Sequence, residues 1–439
     1  MIPDFFDTRA ERRAYLNELA DGHGIEVSVD VMTLSQDHIG RIDPKVIDGQ
    51  INVDVTGQVS RSATAQFLDP RRTLNFDSNS PDAGALYLDR MLRFTYAVIV
   101  PGVGRIECPV FTGPVSKLDR DDDLVNVECQ GKEVLGMGAA WDTLTIKKGT
   151  PKVDAIRRIM QRRGGETLFD LPDFENGGPK LKETLSLGRM ARPWLQARKI
   201  AKSMDRQLFY DARGRCRLRK IPENPVFIFY DAYDDRPKTS DPIAARRATL
   251  VSSPQISYTT ENLKNTVHVK GGKPKGSAPT PKDKKDATTG TGGKGYNSSA
   301  NEKEPLNPPL EDWFVAPPDH AFSPRRLGRD IPDPDHPNQT LRVPRHLVEV
   351  VENSKLRSKK EVNEAGRNHL KRLLREQVEI SFDALPVPFL DERDMVYLDT
   401  ERGGFELVLK QFSLPLSHSG VMSVGYNKPV SVRRRRIRR

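Results

Sequence analysis

Strict alternation of apolar and polar residues is the feature that most constrains how this chain can fold. Near the start of the sequence, apolar residues recur at every second position, as in Val27, Val29 and Val31. A strand places successive side chains on opposite faces, so this period predicts half-buried β-strands. Further runs of the same kind, at a spacing typical of antiparallel sandwiches and barrels, occupy residues 51–55, 92–100, 106–111 and 124–130. Residues 1–145 are therefore predicted to be mainly β, with a turn at Asp48-Gly49.

A helical period replaces the strand period near residue 150. Thr150 and Pro151 supply a cap and a first-turn proline. The apolar face of this predicted helix consists of Val153, Ile156, Ile159 and Met160. A second helix follows Pro193, and its apolar face consists of Trp194, Ala197, Ile200, Ala201 and Met204. With a predicted hairpin at residues 207–218, residues 146–245 form a small α+β domain inserted between two β regions.

A long polar segment interrupts the second half of the chain. Between Val269 and Leu306 there is no Leu, Ile, Val, Met or Phe, so the segment cannot bury enough apolar surface to offset the entropy lost on ordering. Residues 271–340 are predicted to be an extended polar excursion, with 272–305 extended or disordered in the isolated protein. Contact with a neighbouring molecule and a plain linker are equally open as its role. Three aromatic side chains are candidates to anchor its later part: Trp313, Phe314 and Phe322.

The clearest predicted helix begins at a capping box, Ser358-Lys359-Lys360-Glu361, and ends near Gln377. We expect this helix to dock on the second β domain through one apolar stripe, formed by Val362, Ala365, Leu370 and Leu373. Strand patterns return at residues 378–382, 395–399, 405–409 and 422–426. Residues 246–270 and 341–432 are therefore predicted to form a second β domain, followed by a basic tail at 433–439.

The charge of the chain is concentrated at its end. The 439 residues, enough for two to four domains, carry a net charge of +10 from 70 Lys and Arg against 60 Asp and Glu. Six arginines lie within the last seven residues: Arg433, Arg434, Arg435, Arg436, Arg438 and Arg439. Without them, 64 basic residues face 60 acidic ones, a balance of +4. The arginine tail is a candidate binding surface for an acidic partner or for DNA.

Neither a membrane anchor nor an export signal is expected. No stretch approaches the roughly 18 apolar residues that span a bilayer. The first residues alternate acidic and basic groups, whereas a secretory signal has an apolar stretch and a small-residue cleavage site. Synthesis and assembly in the cytoplasm are therefore expected.

The side chains that carry chemistry in other proteins do not form a recognisable constellation here. Cys108, Cys129 and Cys216 lack CxxC spacing, and Cys129 fits a small buried strand residue. The acidic run Asp119, Asp121, Asp122, Asp123 has Leu124 where a calcium loop requires glycine, so a charged hairpin tip is favoured.

Three other motifs are better explained as ordinary loop, strand and turn residues than as functional sites. The segment Thr289–Gly295 has Thr288 in place of the first glycine of a phosphate loop. The eight histidines form no metal-binding pair, and His268 is interpreted as a strand residue. Asp231, Asp234 and Asp235 fit a polar turn after a strand better than an acid–base pair. No catalytic, cofactor-binding or metal-binding residue is predicted, and the protein is not expected to be an enzyme.

The order of these elements carries a family resemblance. The contributing segments, in chain order, are residues 150–159, 194–201, 207–218, 261–271, 358–377, 390–397, 405–409 and 414–423. Together they resemble the tail-hub family of long-tailed bacteriophages, the late-control-like baseplate-hub and tail-tip proteins. The resemblance covers most of the chain except the excursion. The chain departs from the family in that excursion and in the arginine tail, and a fused peptidoglycan hydrolase, which many relatives carry, is not expected.

The resemblance implies a mainly β fold with two tube-like β-barrel domains and a small α+β domain. It implies a homotrimer at the distal end of the virion tail, whose six barrels continue the hexameric tube and convert sixfold to threefold symmetry. The implied partners are the distal tail protein, the tape-measure protein and other tail-tip proteins. DNA is expected to pass through the lumen without specific binding, and wall degradation is expected to belong to another tail protein.

Two other readings stay open at this point. The chain is either another distal tail adaptor or adsorption component, or a basic nucleic-acid-binding protein anchored by RRRRIRR. Against the second stands the lack of a helix-turn-helix, an RNA-binding aromatic pair or a basic face in the sequence of the folded part.

Overall fold

The computed structural model describes residues 8–21, 24–74, 76, 86–230, 247–258, 263–273, 309–336, 338–375, 378–400, 403–417, 420–427 and 429–434. The fold is mainly β, with 43% of the described residues in strands and 18% in helices. The chain forms a large unit, Met1–Ser257 with Glu379–Arg439, and a small unit, Tyr258–Val378. No helix in these ranges is long and apolar enough to cross a membrane.

The helices are α1 (Arg9–Asp21), α2 (Lys152–Gly164), α3 (Pro193–Lys202), α4 (Pro324–Leu327) and α5 (Lys359–Arg375). The first strands of the large unit are β1 (Ile25–Thr33), β2 (His38–Arg41), β3 (Lys45–Asp54), β4 (Arg61–Leu68), β5 (Arg90–Val100), β6 (Gly104–Asp121), β7 (Leu124–Gln130), β8 (Leu144–Ile146), β9 (Phe169–Asp170), β10 (Leu185–Leu187), β11 (Gln207–Tyr210), β12 (Cys216–Arg219), β13 (Phe227–Tyr230), β14 (Arg247–Thr249) and β15 (Gln255–Tyr258). The small unit contains β16 (Thr266–Gly271), β17 (Glu311–Val315), β18 (Arg329–Pro332), β19 (Thr340–Val343) and β20 (Val348–Asn353). The chain then returns to the large unit with β21 (Val378–Ala384), β22 (Met395–Thr400), β23 (Gly403–Val408), β24 (Gln411–Pro415), β25 (Met422–Asn427) and β26 (Pro429–Arg434).

One long sheet organises the large unit. Its order, over the strands described, is β15-β21-β25-β24-β3-β4-β7-β6-β5-β1-β2. Strand β6 belongs to two parts of this sheet, because residues 104–114 pair with β5 and residues 115–121 pair with β7. Gly113 lies where the two pairings meet, and a Cβ there would be 2.1 Å from the carbonyl oxygen of Gln130. Only glycine fits such a close approach of two backbones.

The strands predicted from alternation in the first 130 residues are confirmed. Residues 92–100, 106–111 and 124–130 lie in β5, β6 and β7. Ile51 and Val53 on β3 are buried, as are Val29 and Val31 on β1. The predicted turn at residues 48–49 is wrong, because β3 runs through it with a register shift between Val46 and Asp48. A bulge therefore stands where the Asp-Gly pair indicated a hairpin.

The predicted α+β elements also occur. Helices α2 and α3 pack around one core with the β11–β12 hairpin, and α2 is capped at its C-terminus by Gly165, whose φ of 64° is left-handed. The buried members of that core include all four residues predicted for the first helix and four of the five predicted for the second; Met204 is partly buried. These elements lie in the same compact unit as the strands before them.

The strands after residue 378 differ in their grouping from the sequence prediction, which joined 246–270 with 341–432. Strands β21, β24 and β25 extend the long sheet, where Phe412 and Leu414 of β24 pair with Val53 and Ile51 of β3. Strands β22, β23 and β26 form a second sheet with β13 and β14, in the order β14-β13-β22-β23-β26. Alternation identifies the buried face of a strand but not its neighbour, so this grouping was not readable from the pattern.

The small unit is built on a sheet of order β17-β16-β20, with α5 packed on it. The helix buries Val362, Leu370 and Leu373 against Val267 and Val269. The predicted excursion at 271–340 is partly structured, since β17, α4 and β18 lie within it. Phe314, one of the three aromatic residues predicted to anchor this segment, lies on β17 and packs against the same core. The segment from residue 274 to 308 lies outside the described residues.

Candidate functional site

Charged side chains lie buried in the large unit where distant parts of its sequence meet. We call this cluster the ionic junction, and its members are Ser60, Arg61, Glu133, Arg217, Arg219, Asp391, Glu392 and Asp394. The turn at residues 391–394, just before β22, contributes three of the acids. The basic residues come from β4 in the first β region and from β12 in the α+β region. Buried charges are stable only when paired and hydrogen-bonded, so each pairing below fixes two segments together.

Arg61 stands at the centre of the junction. Its side chain is 3% exposed, and its guanidinium donates to Asp391 Oδ1 and to the carbonyl oxygen of Val110, the latter at 2.9 Å. The guanidinium of Arg217 lies 3.8 Å from the other carboxylate oxygen of Asp391. One buried carboxylate thus joins the first β region to the α+β region.

Arg219 makes the second connection. Its guanidinium forms an ion pair with Asp394 at 2.8 Å and donates to the carbonyl oxygen of Glu392 at 2.5 Å. It also lies over the ring of Phe209, 5.0 Å from the ring centroid, a cation–π contact that a desolvated arginine favours. Both backbone and side chain of the 391–394 turn are therefore held from β12.

Two buried carboxyl groups lie in the same cluster. The hydroxyl of Ser60 donates to Glu133 Oε1 at 2.6 Å. Burial raises the pKa of Glu133, and it raises the pKa of Glu392 to about 7, with further increases from the nearby charges of Glu133 and Asp391. The pKa of Glu392 therefore lies near neutrality, because its carboxyl group is buried close to two other acids.

A second buried ion pair fixes the α+β region from the other side. Lys132 Nζ lies 2.7 Å from Glu166 Oε2 and donates to the carbonyl oxygen of Gly214 at 2.9 Å. It also lies 5.2 Å from the ring centroid of Tyr210. Burial lowers the pKa of Lys132, and the charge of Glu166 opposes that shift. The pair connects the turn after β7, the end of α2 and the β11–β12 hairpin.

The junction leaves little free space between its side chains. The cavity bordered by Glu133, Glu392 and Trp194 has a volume of about 10 Å³, which is the space of a single water molecule. Larger depressions of about 360 and 440 Å³ lie elsewhere on the large unit. In the ranges described, no group of three or more His, Cys, Asp or Glu is placed to hold a metal ion.

The predictions of a buried Cys129, of a charged hairpin tip and of a strand position for His268 are confirmed. All three thiols are buried, and burial raises the pKa of Cys108 to about 12 and raises the pKa of Cys129 and Cys216. The acidic run forms the tip between β6 and β7, with Asp122 in the left-handed region at φ 50°. His268 lies on β16, with its ring stacked on Trp313 at 4.0 Å. The triad Asp231, Asp234 and Asp235 and the segment 289–295 lie outside the described residues.

The predicted docking helix and the predicted partner-binding tail lie in different units. On α5, the capping box is present, with the Ser358 hydroxyl accepting from the Glu361 amide at 3.2 Å, and Ala365 is half-buried beside the buried residues of its stripe. At the end of the chain, Arg433 and Arg434 belong to β26 and pair with Gly404 and Gly403 of β23. The remaining tail residues, Arg435, Arg436, Arg438 and Arg439, lie beyond the described residues.

Sequence reasoning missed a strongly basic region. Residues 131–220 contain 21 Lys and Arg against 10 Asp and Glu, a net charge of +11, whereas residues 1–130 contain 13 against 21, a net charge of −8. The two values nearly cancel, so the near-balance of the whole chain conceals them. A charge count over each predicted domain would have revealed the asymmetry.

The sequence matches no protein-family model and no curated protein. The fold, however, is similar to those of two solved tail proteins, one of them from a prophage. The 43 kDa tail protein of prophage MuSo2 from Shewanella oneidensis matches with a TM-score of 0.53 at 10% identity, over 92% of this chain and 98% of that chain. A tail protein from Neisseria meningitidis matches with a TM-score of 0.50 at 12% identity, over 92% of this chain and 96% of that chain. At such identities the likeness concerns the fold.

Proposed function

We propose that this chain is a structural protein of a bacteriophage tail, acting as the tail-tip or baseplate hub. The observation that carries the proposal is the fold, which resembles those of two tail proteins, one of them from a prophage, over nearly the full length of all three chains. A partial likeness would fit a shared module, whereas a full-length one extends to the order of all elements. Fold alone does not determine activity, so the proposal also draws on the site.

The ionic junction supports a structural role. Its buried pairs join segments that lie up to 330 residues apart in the chain, and its cavity admits no substrate. Buried ion pairs between distant segments are suited to a subunit that must keep its shape inside an assembly. We therefore propose that the protein has no catalytic activity of its own.

In the proposed assembly, three copies form a ring at the distal end of the virion tail. Each copy contributes two tube-like β-barrels, so that six barrels continue the tail tube and adapt its sixfold symmetry to threefold symmetry. In this proposal the barrels are built from the strands of the long sheet and of the sheet around β22. The proposed neighbours are the distal tail protein, the tape-measure protein and other tail-tip proteins, with DNA passing through the lumen.

Electron microscopy of the purified full-length protein tests this proposal. We expect rings with threefold symmetry and a central opening. Monomers without ring formation at any concentration, or turnover of peptidoglycan by the purified chain, would count against the hub. Particles that bind tail components without forming rings would instead favour a distal adaptor or adsorption protein.

A further inference from the structure

Two large apolar side chains are displayed to solvent side by side in the basic region. Trp141 is 92% exposed and Met190 is 75% exposed. Single exposed apolar residues are ordinary, but these two come from loops that are joined through their backbones. The Met190 amide donates to the carbonyl oxygen of Ala140 at 3.0 Å, and the Ala140 amide donates to Ala191 at 3.4 Å.

A buried arginine holds both loops in place. The side chain of Arg163, on α2, is 1% exposed and forms an ion pair with Asp142 at 3.2 Å. It also donates to the carbonyl oxygens of Asp142, Leu187 and Gly188, which flank the two displayed residues. Met190 itself has a φ of 70°, a left-handed conformation that disfavours a residue with a side chain. The surface is thus preorganised, and a preorganised surface loses little entropy on binding.

The surroundings of this apolar pair are basic. Arg158 and Arg162 are exposed on α2, one turn apart, and Arg162 pairs with Asp142 next to the tryptophan. Arg189 and Arg192 are exposed on either side of the methionine. We call Trp141, Arg158, Arg162, Arg189, Met190 and Arg192 the displayed surface. Its chemistry fits a partner that is acidic and carries an apolar side chain.

The same chain presents a surface of that chemistry. The tip between β6 and β7 exposes four carboxylates, Asp119, Asp121, Asp122 and Asp123. Leu68, 45% exposed, lies beside them, because its Cα is paired with that of Leu124 and the Asp69 amide donates to Asp123. We call this group the acidic tip. The acidic tip belongs to residues 1–130, which have a net charge of −8. Each copy of the chain therefore exposes both the acidic tip and the displayed surface.

We infer that the displayed surface of one copy binds the acidic tip of the next copy. The contact is heterologous, since two different surfaces meet, and such contacts close into a ring when the rotation between copies permits. Trp141 and Met190 supply apolar burial against Leu68, while the arginines pair with the carboxylates. The inference rests on the proposed function, because it assigns the contact between subunits of the proposed ring.

Charge reversal with restoration tests the pairing in the full-length chain by sedimentation velocity. The basic set is Arg158→Glu, Arg189→Glu and Arg192→Glu; the acidic set is Asp121→Lys, Asp122→Lys and Asp123→Lys. We expect each set alone to convert the oligomer to monomer, and the two sets combined in one chain to restore it. The control carries the same charge change on the exposed residues Lys359, Lys360 and Lys371 of α5 and should stay oligomeric. Unchanged melting temperatures establish that every variant is folded.

The apolar part is tested separately with Trp141→Ala. We expect the dissociation constant between subunits to rise roughly tenfold or more, because interface tryptophans often dominate binding. Leu341→Ala, at another exposed apolar residue (44%), should leave it unchanged.

Several outcomes would overturn the inference. Rings that persist in both charge-reversal sets would remove this contact while leaving the proposed hub intact. Loss of the ring in both sets without restoration in the combined variant would mean that the two surfaces do not face each other. Loss of DNA retention in the basic set with an intact ring would assign the displayed surface to nucleic acid. A wild-type chain that forms no ring at all would remove the inference and the proposed hub together.

Discussion

Glu392 lies at the ionic junction with its carboxyl group kept from water and with Glu133 nearby. Burial disfavours the charged form, and the second carboxylate adds repulsion, while Arg61 and the Ser60 hydroxyl act in the opposite direction. The balance leaves the pKa near 7. A buried carboxyl group with a pKa near neutrality makes the stability of the protein depend on pH.

The sign of that coupling leads to a prediction. The folded-state pKa of about 7 exceeds that of an unfolded glutamate, about 4.3, so the stabilisation is full below pH ~4 and is lost as the pH rises through 7. We expect Glu392→Gln, which resembles the protonated group, to increase the free energy of unfolding at pH 8 by on the order of 3 kcal/mol. At pH 5 the change should be small. Thermal melts at both pH values measure it, with the exposed Glu183→Gln as control; an equal effect at both pH values would contradict the titration.

Arg61 provides a second test at this scale. Replacing it with alanine leaves the buried carboxylate of Asp391 without its closest partner, which costs about 3–5 kcal/mol for a buried ion pair. Arg105 is the matched control, because its pairs with Glu26 and Glu107 are exposed and such pairs contribute less than about 1 kcal/mol. Urea unfolding of Arg61→Ala and Arg105→Ala measures both. Equal losses would mean that burial of the pair is not what stabilises the junction.

Residue roles were predictable from sequence only where the local pattern contained them. Cys129 alternates with Val125 and Val127, so its burial followed from the strand period. The roles of Asp391 and Asp394 did not follow, although they lie in a segment that carries the family resemblance. Their partners are separated from them by up to 330 residues, and a sequence pattern does not register a contact over that distance.

Helix α5 is the element whose pattern and packing agree most directly. Its capping box forms, with the Glu361 carboxylate accepting from the Ser358 amide at 3.1 Å, and its apolar stripe lies against β16 and β17. Gly366 on the same helix leaves room for Phe314, since a Cβ would be 2.0 Å from that ring. The docking partner is the β17-β16-β20 sheet of its own unit, and we propose that the docking is structural.

Paired substitutions on this helix test that role. Leu370→Asp places an unpaired carboxylate in the core of the small unit, which costs several kcal/mol and rivals the stability of a domain. Lys371→Asp changes an exposed neighbour and should leave the melting temperature nearly unchanged. Thermal melting of the two variants beside the wild type measures the difference. A wild-type melting temperature for Leu370→Asp would show that the stripe is not needed for folding.

The hydrophobic period and the capping residues predicted where helices form, but the sequence did not show which elements pack or pair with each other. The helices α2, α3 and α5 were predicted because a 3.6-residue period and capping residues are local. The Asp48-Gly49 pair was misread because the same dipeptide serves a hairpin turn or a bulge, and Gly49 has a φ of 142° in this strand. Which of these conformations forms depends on β4, with which Gly49 pairs.

For the whole molecule, the small net charge conceals an uneven distribution of charge along the chain. Residues 1–130 and residues 131–220 carry −8 and +11, a separation that long-range electrostatics can use to orient like subunits head to tail. The domain grouping was likewise hidden, because the strands that complete the sheet beside β3 come from the far end of the chain. The mainly β architecture was predictable from composition and period. The pairing of β24, near the end of the chain, with β3, near its beginning, was not predictable, because no local sequence pattern indicates such a distant contact.

The charge separation predicts how subunit association responds to salt. The Debye length falls from about 10 Å at 0.1 M salt to about 3 Å at 1 M, so we expect the dissociation constant between subunits to rise roughly tenfold or more from about 0.05 M to about 0.5 M NaCl. The variant that combines both charge-reversed sets should show the same slope, because its charges still attract with their signs exchanged. Trp141→Ala should raise the dissociation constant at every salt concentration without changing the slope, because burial of an apolar side chain is not screened. Sedimentation equilibrium across the salt series measures these curves, and an association that strengthens with salt would mean that apolar burial, and not the −8 and +11 regions, holds the copies together.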